Sequence, residues 1–107
     1  RERVIDYNIG AVLIMKNSEL EKYFRVLANR RRIEILLLLS DRGPICVNDL
    51  ASAIKLSFKS THKHLYQLLY MGFLEKERRG TLVFYNLSDD LNSLHKYLLK
   101  PIIKQHI

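Results

Sequence analysis

Between residues 55 and 88 the sequence reads KLSFKSTHKHLYQLLYMGFLEKERRGTLVFYNLS, with cations gathered on both sides of an apolar helical pattern. Lys59 and Lys63 stand four residues apart, and Lys76, Arg78 and Arg79 follow in a stretch of extended character. Ammonium and guanidinium groups repeated in this way bind polyanions. They neutralise phosphates, lysine can meet guanine edges in the major groove, and Gln67 can pair with adenine. At 100° per residue from Phe58, the apolar stripe centres near Leu65, and the opposite side of the same helix presents Lys59, Ser60, Lys63, Gln67 and Tyr70. His62 and His64 fall on the flanks of the stripe, where a packed or capping role stands beside base contact.

Composition points the same way. The 107 residues carry a formal charge of +7, with 48% hydrophobic and 27% charged residues, which suits one domain with a core and favours a polyanionic partner. Nucleic acid leads, and an anionic membrane surface is the second reading. A single cysteine, Cys46, excludes an internal disulfide framework and is compatible with a reducing, cytoplasmic setting. A glycine-rich phosphate loop and a nucleophile elbow are both missing, and Cys46 has no histidine and acid at catalytic spacing, so no enzyme is expected.

These side chains need elements to position them. Ser18 with Glu21 forms a capping-box pattern, and Leu20, Phe24, Leu27 and Ala28 recur at helical spacing, which predicts a helix over 18–28. Asn29 caps a second, RRRIEILLLLS, whose apolar density suits burial on most sides. DRGP at 41–44 stops it, and ICV after the turn is short enough for one edge strand. Asn48 caps a short helix, DLASAI, and Ser57 caps the next, whose stripe is Phe58, Thr61, Leu65, Leu68 and Leu69. Gly72 ends that helix in a left-handed turn.

Helix, short linker and helix over 48–71 make a helix-turn-helix. FLEKER and LVFYNL, joined around Arg79, Gly80 and Thr81, then form a hairpin, a wing that carries Lys76, Arg78 and Arg79 toward a neighbouring backbone or minor groove. Ser88, with Asp89 and Asp90 in its first turn, starts a C-terminal helix bearing Leu91, Leu94 and Leu98, which Pro101 ends or kinks.

The expected fold is mainly α with a small β-hairpin, a winged helix-turn-helix in the order ααααββα. An N-terminal extension over 1–17, a DNA-binding domain over 18–88 and a dimerisation helix over 89–107 divide the chain. The apolar run from Ile9 to Met15 is too short to span a membrane, and it reads as a dimer-stabilising extension. The chain opens on Arg1 rather than methionine, so further sequence is expected outside it.

LANRRRIEILLLLS, ICVNDLASAI, SFKSTHKHLYQL, MGFLEKERRG and VFYNL, in this order over about residues 20–88, resemble the ArsR-type winged-helix transcriptional repressors. The resemblance implies a homodimer with the first and last helices at its interface, and two recognition helices reading successive major grooves of a palindromic operator in double-stranded DNA. It places Ser57, Lys59, Ser60, His62 and Lys63 at DNA-facing positions. Leu20, Phe24, Leu91, Leu94 and Leu98 are then the apolar stripe that a dimer hides. A winged-helix protein-interaction or RNA-binding module without operator specificity is the alternative.

Many members of that family sense metals, and two of their sites have counterparts here. A Cys-Val-Cys sequence corresponds to Cys46, Val47 and Asn48, which lacks the second thiolate. Two histidines eleven residues apart correspond to His95 and His106, but Ser93 stands where an acid is needed and Pro101 intervenes. No metal or other cofactor is expected. Cys46 reads as a small buried apolar residue, and His95 and His106 as helix-surface histidines.

Overall fold

The computed structural model describes residues 15–103, so the extension before Met15 and His106 lie outside the described residues. Among these residues, five helices and three strands follow in the order α1 (Asn17–Leu27), α2 (Arg30–Arg42), β1 (Ile45–Cys46), α3 (Val47–Ile54), α4 (Phe58–Tyr70), β2 (Leu74–Arg79), β3 (Leu82–Leu87) and α5 (Ser93–Ile103). The strands form one antiparallel sheet in the order β1-β3-β2, with Ile45 opposite Tyr85 and Lys76 opposite the same tyrosine from the other side. ICV therefore supplies the edge strand expected of it.

Side-chain caps fix several boundaries. Asn29 accepts from the Arg32 amide at 3.1 Å and opens α2, which ends at Gly43 (φ +82°). Ser57 Oγ accepts from the Ser60 amide at 3.1 Å and opens α4. At the other end of α4 the Phe73 amide donates to the Leu68 carbonyl and the Gly72 amide to that of Leu69, both at 3.0 Å, a paired closure that needs φ +82° at Gly72. The two-residue hairpin loop, Gly80 and Thr81, likewise turns on a positive φ at Gly80.

Other boundaries correct the sequence reading. Helix α1 starts one residue earlier than expected: the Glu19 carboxylate, not the Ser18 and Glu21 pair, accepts from the Lys16 amide at 3.2 Å. Glu21 is instead paired with Arg25 at 2.6 Å. Helix α3 begins directly behind β1 with Cys46 at its N-cap, so Asn48 lies inside the first turn rather than capping it. Asp89 and Asp90 do not open the last helix. The Asp89 amide donates to Glu75 and that of Asp90 to Ser88, which holds these residues in a bend until Asn92 caps α5 by accepting from the His95 amide at 2.8 Å. Pro101 is accommodated inside α5, which runs on to Ile103.

The core lies where α2 crosses the other elements. Ile35, Leu36 and Leu39 of α2 meet Leu50 and Ile54 of α3, Leu65 and Leu68 of α4, Phe73 just before β2, Leu74 and Tyr85 of the sheet, and Leu99 and Ile102 of α5. Thr61 is also fully buried, and its hydroxyl finds no hydrogen-bond partner among the described residues. Phe58 departs from the expected stripe: it is 54% exposed and stands outside the core.

Candidate nucleic-acid interface

Helices α3 and α4 are joined by Lys55–Ser57, with Lys55 in the left-handed region at φ 57°. A non-glycine residue there costs roughly 1–2 kcal/mol, so the tight turn is held against strain, by the Leu56 side chain half-buried against the core and by hydrogen bonds from the Lys55 amide to the Ser52 carbonyl and from the Leu56 amide to that of Ala51. This turn sets the direction of α4.

Burial of Thr61, Leu65 and Leu68 turns the opposite side of α4 to solvent. Lys59, His62, Lys63, Gln67 and Tyr70 are exposed on that side, with Ser57 at the cap exposed and Ser60 half-buried. Lys59 and Lys63 form no ion pair with any described residue, so their charge faces outward uncompensated. Aromatic rings stand along the same helix every four residues. Phe58 and His62 lie near parallel with centroids 6.1 Å apart, as do Tyr66 and Tyr70 at 6.2 Å.

The wing packs beside α4 through the Phe73 and Leu74 junction. Strand alternation separates its cations. Lys76 and Arg78 lie on the face shared with Leu74 and Tyr85, exposed and without an acidic partner among the described residues. Arg79 lies on the other face, 3.2 Å from Glu77 and 4.6 Å above the Phe84 ring. The three cations expected to act together are thus two outward charges and one that is partly neutralised.

Two side chains that the sequence reading passed over tie α2 to its neighbouring helices. Arg31, Arg32 and Arg30 open α2, where positive charge opposes the helix dipole. Two of them are spent on neighbouring helices. Arg31 donates to the Ile54 carbonyl that ends α3 and lies 3.4 Å from Glu34. Arg32 donates from Nε to the Val26 carbonyl at 2.6 Å, at the end of α1, and from Nη1 to Nδ1 of His64 at 3.1 Å on α4. A guanidinium cannot accept, so His64 is in its neutral form with the proton on Nε2. Burial first, then the charges of Arg32 and Arg31, lower the His64 pKa below the ordinary histidine value.

His95 corrects the expectation of a surface residue: it is 5% exposed. Its Nδ1 accepts from the Asn92 amide at 3.1 Å, which leaves Nε2–H to donate to the Met71 carbonyl at 2.7 Å, just past the end of α4. The ring packs against Phe73, edge on at 4.7 Å, and against Tyr23 of α1 at 5.5 Å. A Cβ on Gly72 would stand 3.0 Å from His95 Cε1, a second reason for glycine there. Both helices expected at a dimer interface are therefore tied by polar bonds to the recognition helix, α1 through Arg32 and α5 through His95.

On those helices Phe24 is 53% exposed, and Leu20, Leu94 and Leu98 are half-buried. Leu98 and Leu91 spend part of their surface on the core, and Leu91 precedes α5 instead of lying on it. Tyr97, absent from the expected stripe, adds an exposed ring.

The model of the bacterial regulatory protein, arsR family, matches residues 29–76, from the cap of α2 into the wing. The arsenical resistance operon repressor of Bacillus subtilis (strain 168) is 36% identical over 78 residues, 70% of this chain and 74% of that protein. The chain belongs to the arsR family of bacterial regulatory proteins.

Another relative of this ArsR-family chain is a cadmium resistance transcriptional regulatory protein, the CadC homolog of Staphylococcus aureus, 33% identical over 67% of this chain and 60% of that protein. Among solved structures, the homodimeric winged helix-turn-helix DNA-binding domain of Mb0332 from Mycobacterium bovis is similar with a TM-score of 0.66 and 27% identity. The match covers 94% of this chain and 88% of that one. Two relatives are thus named for arsenic and cadmium resistance. The one cysteine of this ArsR-family chain, Cys46, is buried beside Val47 and the amide side chain of Asn48. Both ring nitrogens of His95 are engaged by backbone, and no three metal-ligating residues cluster among the described residues. Among the same residues no helix is long and apolar enough to cross a membrane.

Proposed function

We propose that this ArsR-family protein is a homodimeric, non-enzymatic repressor that reads a palindromic operator in duplex DNA. One observation carries the reading: the exposed face of α4 presents Lys59, Lys63 and Gln67 beside a wing presenting Lys76 and Arg78, and none of the four cations is paired with an acid among the described residues. An α-helix fits the major groove, where Lys59 and Lys63 meet guanine edges or phosphates and Gln67 meets adenine, with Ser57, Ser60 and His62 at the leading end. Lys76 and Arg78, with Arg79 in support, take the adjacent backbone or minor groove. Residues 18–88 are the DNA-binding unit, the last helix with α1 supplies the dimer contact through Phe24, Leu20, Leu94 and Leu98, and residues 1–17 extend that contact. Occupation of the operator excludes polymerase from the promoter.

The test is competition for the protein between a fluorescent palindromic duplex, selected from a random library, and unlabelled random duplex, single-stranded RNA or anionic vesicles. The selected duplex outcompetes the others by at least 10³-fold, the lower end of operator specificity. Equal competition by RNA or by random duplex would reassign the protein to a non-specific binding module.

A further inference from the structure

Phe58 opens the recognition helix yet serves neither its cap nor the core. Ser57 makes the cap, Leu56 packs against the core from the preceding turn, and the Phe58 ring stands outside it with 54% of its surface exposed. Tyr66 and Tyr70, also exposed on α4, carry hydroxyls that water can satisfy, and the His62 ring carries nitrogens; Phe58 offers only carbon. Single exposed apolar residues are common on protein surfaces. What sets this one apart is its place. It lies between the Ser57 cap and Lys59, one turn before Lys63, at the end of the helix that leads into a groove, and the His62 ring lies near parallel to it at 6.1 Å, limiting where the side chain can swing.

Base-pair edges in the major groove offer polar donors and acceptors and one apolar group, the 5-methyl of thymine. A side chain with no polar atom, beside lysines that pair with no described acid and draw in the phosphate backbone, has that methyl as its complementary feature among the base-pair edges. We infer that Phe58, with His62 against it, is a specificity residue that packs on the 5-methyl group of a thymine in each operator half-site. The inference rests on the DNA-binding reading above, and it assigns to that site a base preference that neither the lysines nor Gln67 provide.

Deoxyuridine differs from thymidine by that methyl alone, and it tests the contact on the unaltered protein. Each thymine of the selected duplex is replaced in turn and binding is followed by anisotropy. One symmetry-related pair of positions loses about four-fold per half-site, the worth of one buried carbon group, and about fifteen-fold when both are replaced. Phe58→Ala loses a similar factor on the thymine duplex, no longer distinguishes uridine at that position, and keeps the parent's salt dependence. The contact is refuted if every thymine tolerates uridine within two-fold, or if Phe58→Ala remains as sensitive as the parent. Uridine indifference together with a change of sedimentation in Phe58→Ala would instead place the ring against a second copy of the chain. If the parent protein selects no sequence at all, the operator reading fails and the contact with it.

Discussion

Arg32 and His64 meet across 32 residues of sequence, with the guanidinium Nη1 donating to the imidazole Nδ1 at 3.1 Å. The same guanidinium closes the end of α1 on the Val26 carbonyl. One side chain thus joins a helix of the proposed dimer contact to the recognition helix, and the joint survives only while His64 is neutral. An unfolded histidine titrates near 6.5, whereas burial and the two arginines lower His64 in the fold. Between those two values the unfolded chain takes a proton that the folded chain refuses, so stability is complete above about pH 6.5 and is lost as pH falls toward the folded pKa. Urea midpoints at pH 7.5 and 5.5 should therefore diverge less in His64→Asn than in the parent. The two proteins differ at this one side chain, so the difference isolates His64.

His95 replaces a conventional carboxylate or amide in the reciprocal cap with Asn92 and reaches on to Met71. His95→Ala removes two hydrogen bonds and a ring packed on Phe73, a loss of about 3 kcal/mol measurable by denaturant unfolding. Because both ring nitrogens are engaged, a metal must displace Asn92 or Met71 to bind there. Calorimetric titration of the reduced protein with zinc should accordingly show no tight, saturable heat. A saturable site that weakens operator binding tenfold and disappears in His95→Ala would contradict this.

The wing cations are unequal in the fold and should be unequal on DNA. The logarithm of the binding constant falls with the logarithm of salt by about 0.9 for each phosphate neutralised. Arg78→Ala and Lys63→Ala should each flatten that slope by about 1.8 in a dimer. Arg79→Ala should flatten it less, because Glu77 already offsets part of that charge and the Phe84 ring holds the group on the other face. A larger effect at Arg79 than at Arg78 would reverse the assignment.

Short-range signals were the legible ones. Asn29, Ser57, Gly72 and Gly80 act within four residues of themselves, and each does what its type and position predict. Ser18, Asn48 and the Asp89–Asp90 pair also looked like helix starts: Glu19, at the same local spacing, caps one residue earlier than the first, whereas the second and third lost to partners that local spacing does not reveal, the pairing of β1 with β3 and Glu75 fourteen residues back. Among the candidate site residues, outward-facing Lys59, Lys63 and Gln67 follow directly from the period of α4. The supports do not. Arg31, Arg32 and His95 act on carbonyls 23, 6 and 24 residues away. The trace of Arg31 and Arg32 in sequence is a run of arginines at the end of a helix where the dipole disfavours it.

Phe24 leaves half of its surface in water on α1, beside Leu20 on the same flank. Burying such a side chain in a symmetric contact contributes roughly 1.5–3 kcal/mol per copy. Phe24→Glu should raise the dimer dissociation constant at least tenfold in sedimentation equilibrium while leaving the helical content unchanged. A parent protein that sediments as a monomer at micromolar concentration would remove the interface altogether.

Hydroxyl-radical footprinting of the selected duplex measures the arrangement of two recognition helices and two wings on DNA most directly. Two equivalent protected tracts, centred about 10 base pairs apart and related by the operator's two-fold axis, with weaker protection flanking them where the wings reach, are expected. Lys76→Ala with Arg78→Ala should erase the flanks and spare the central tracts. A single protected tract, or protection that moves with the ends of the duplex instead of its sequence, would contradict a dimeric operator-binding repressor.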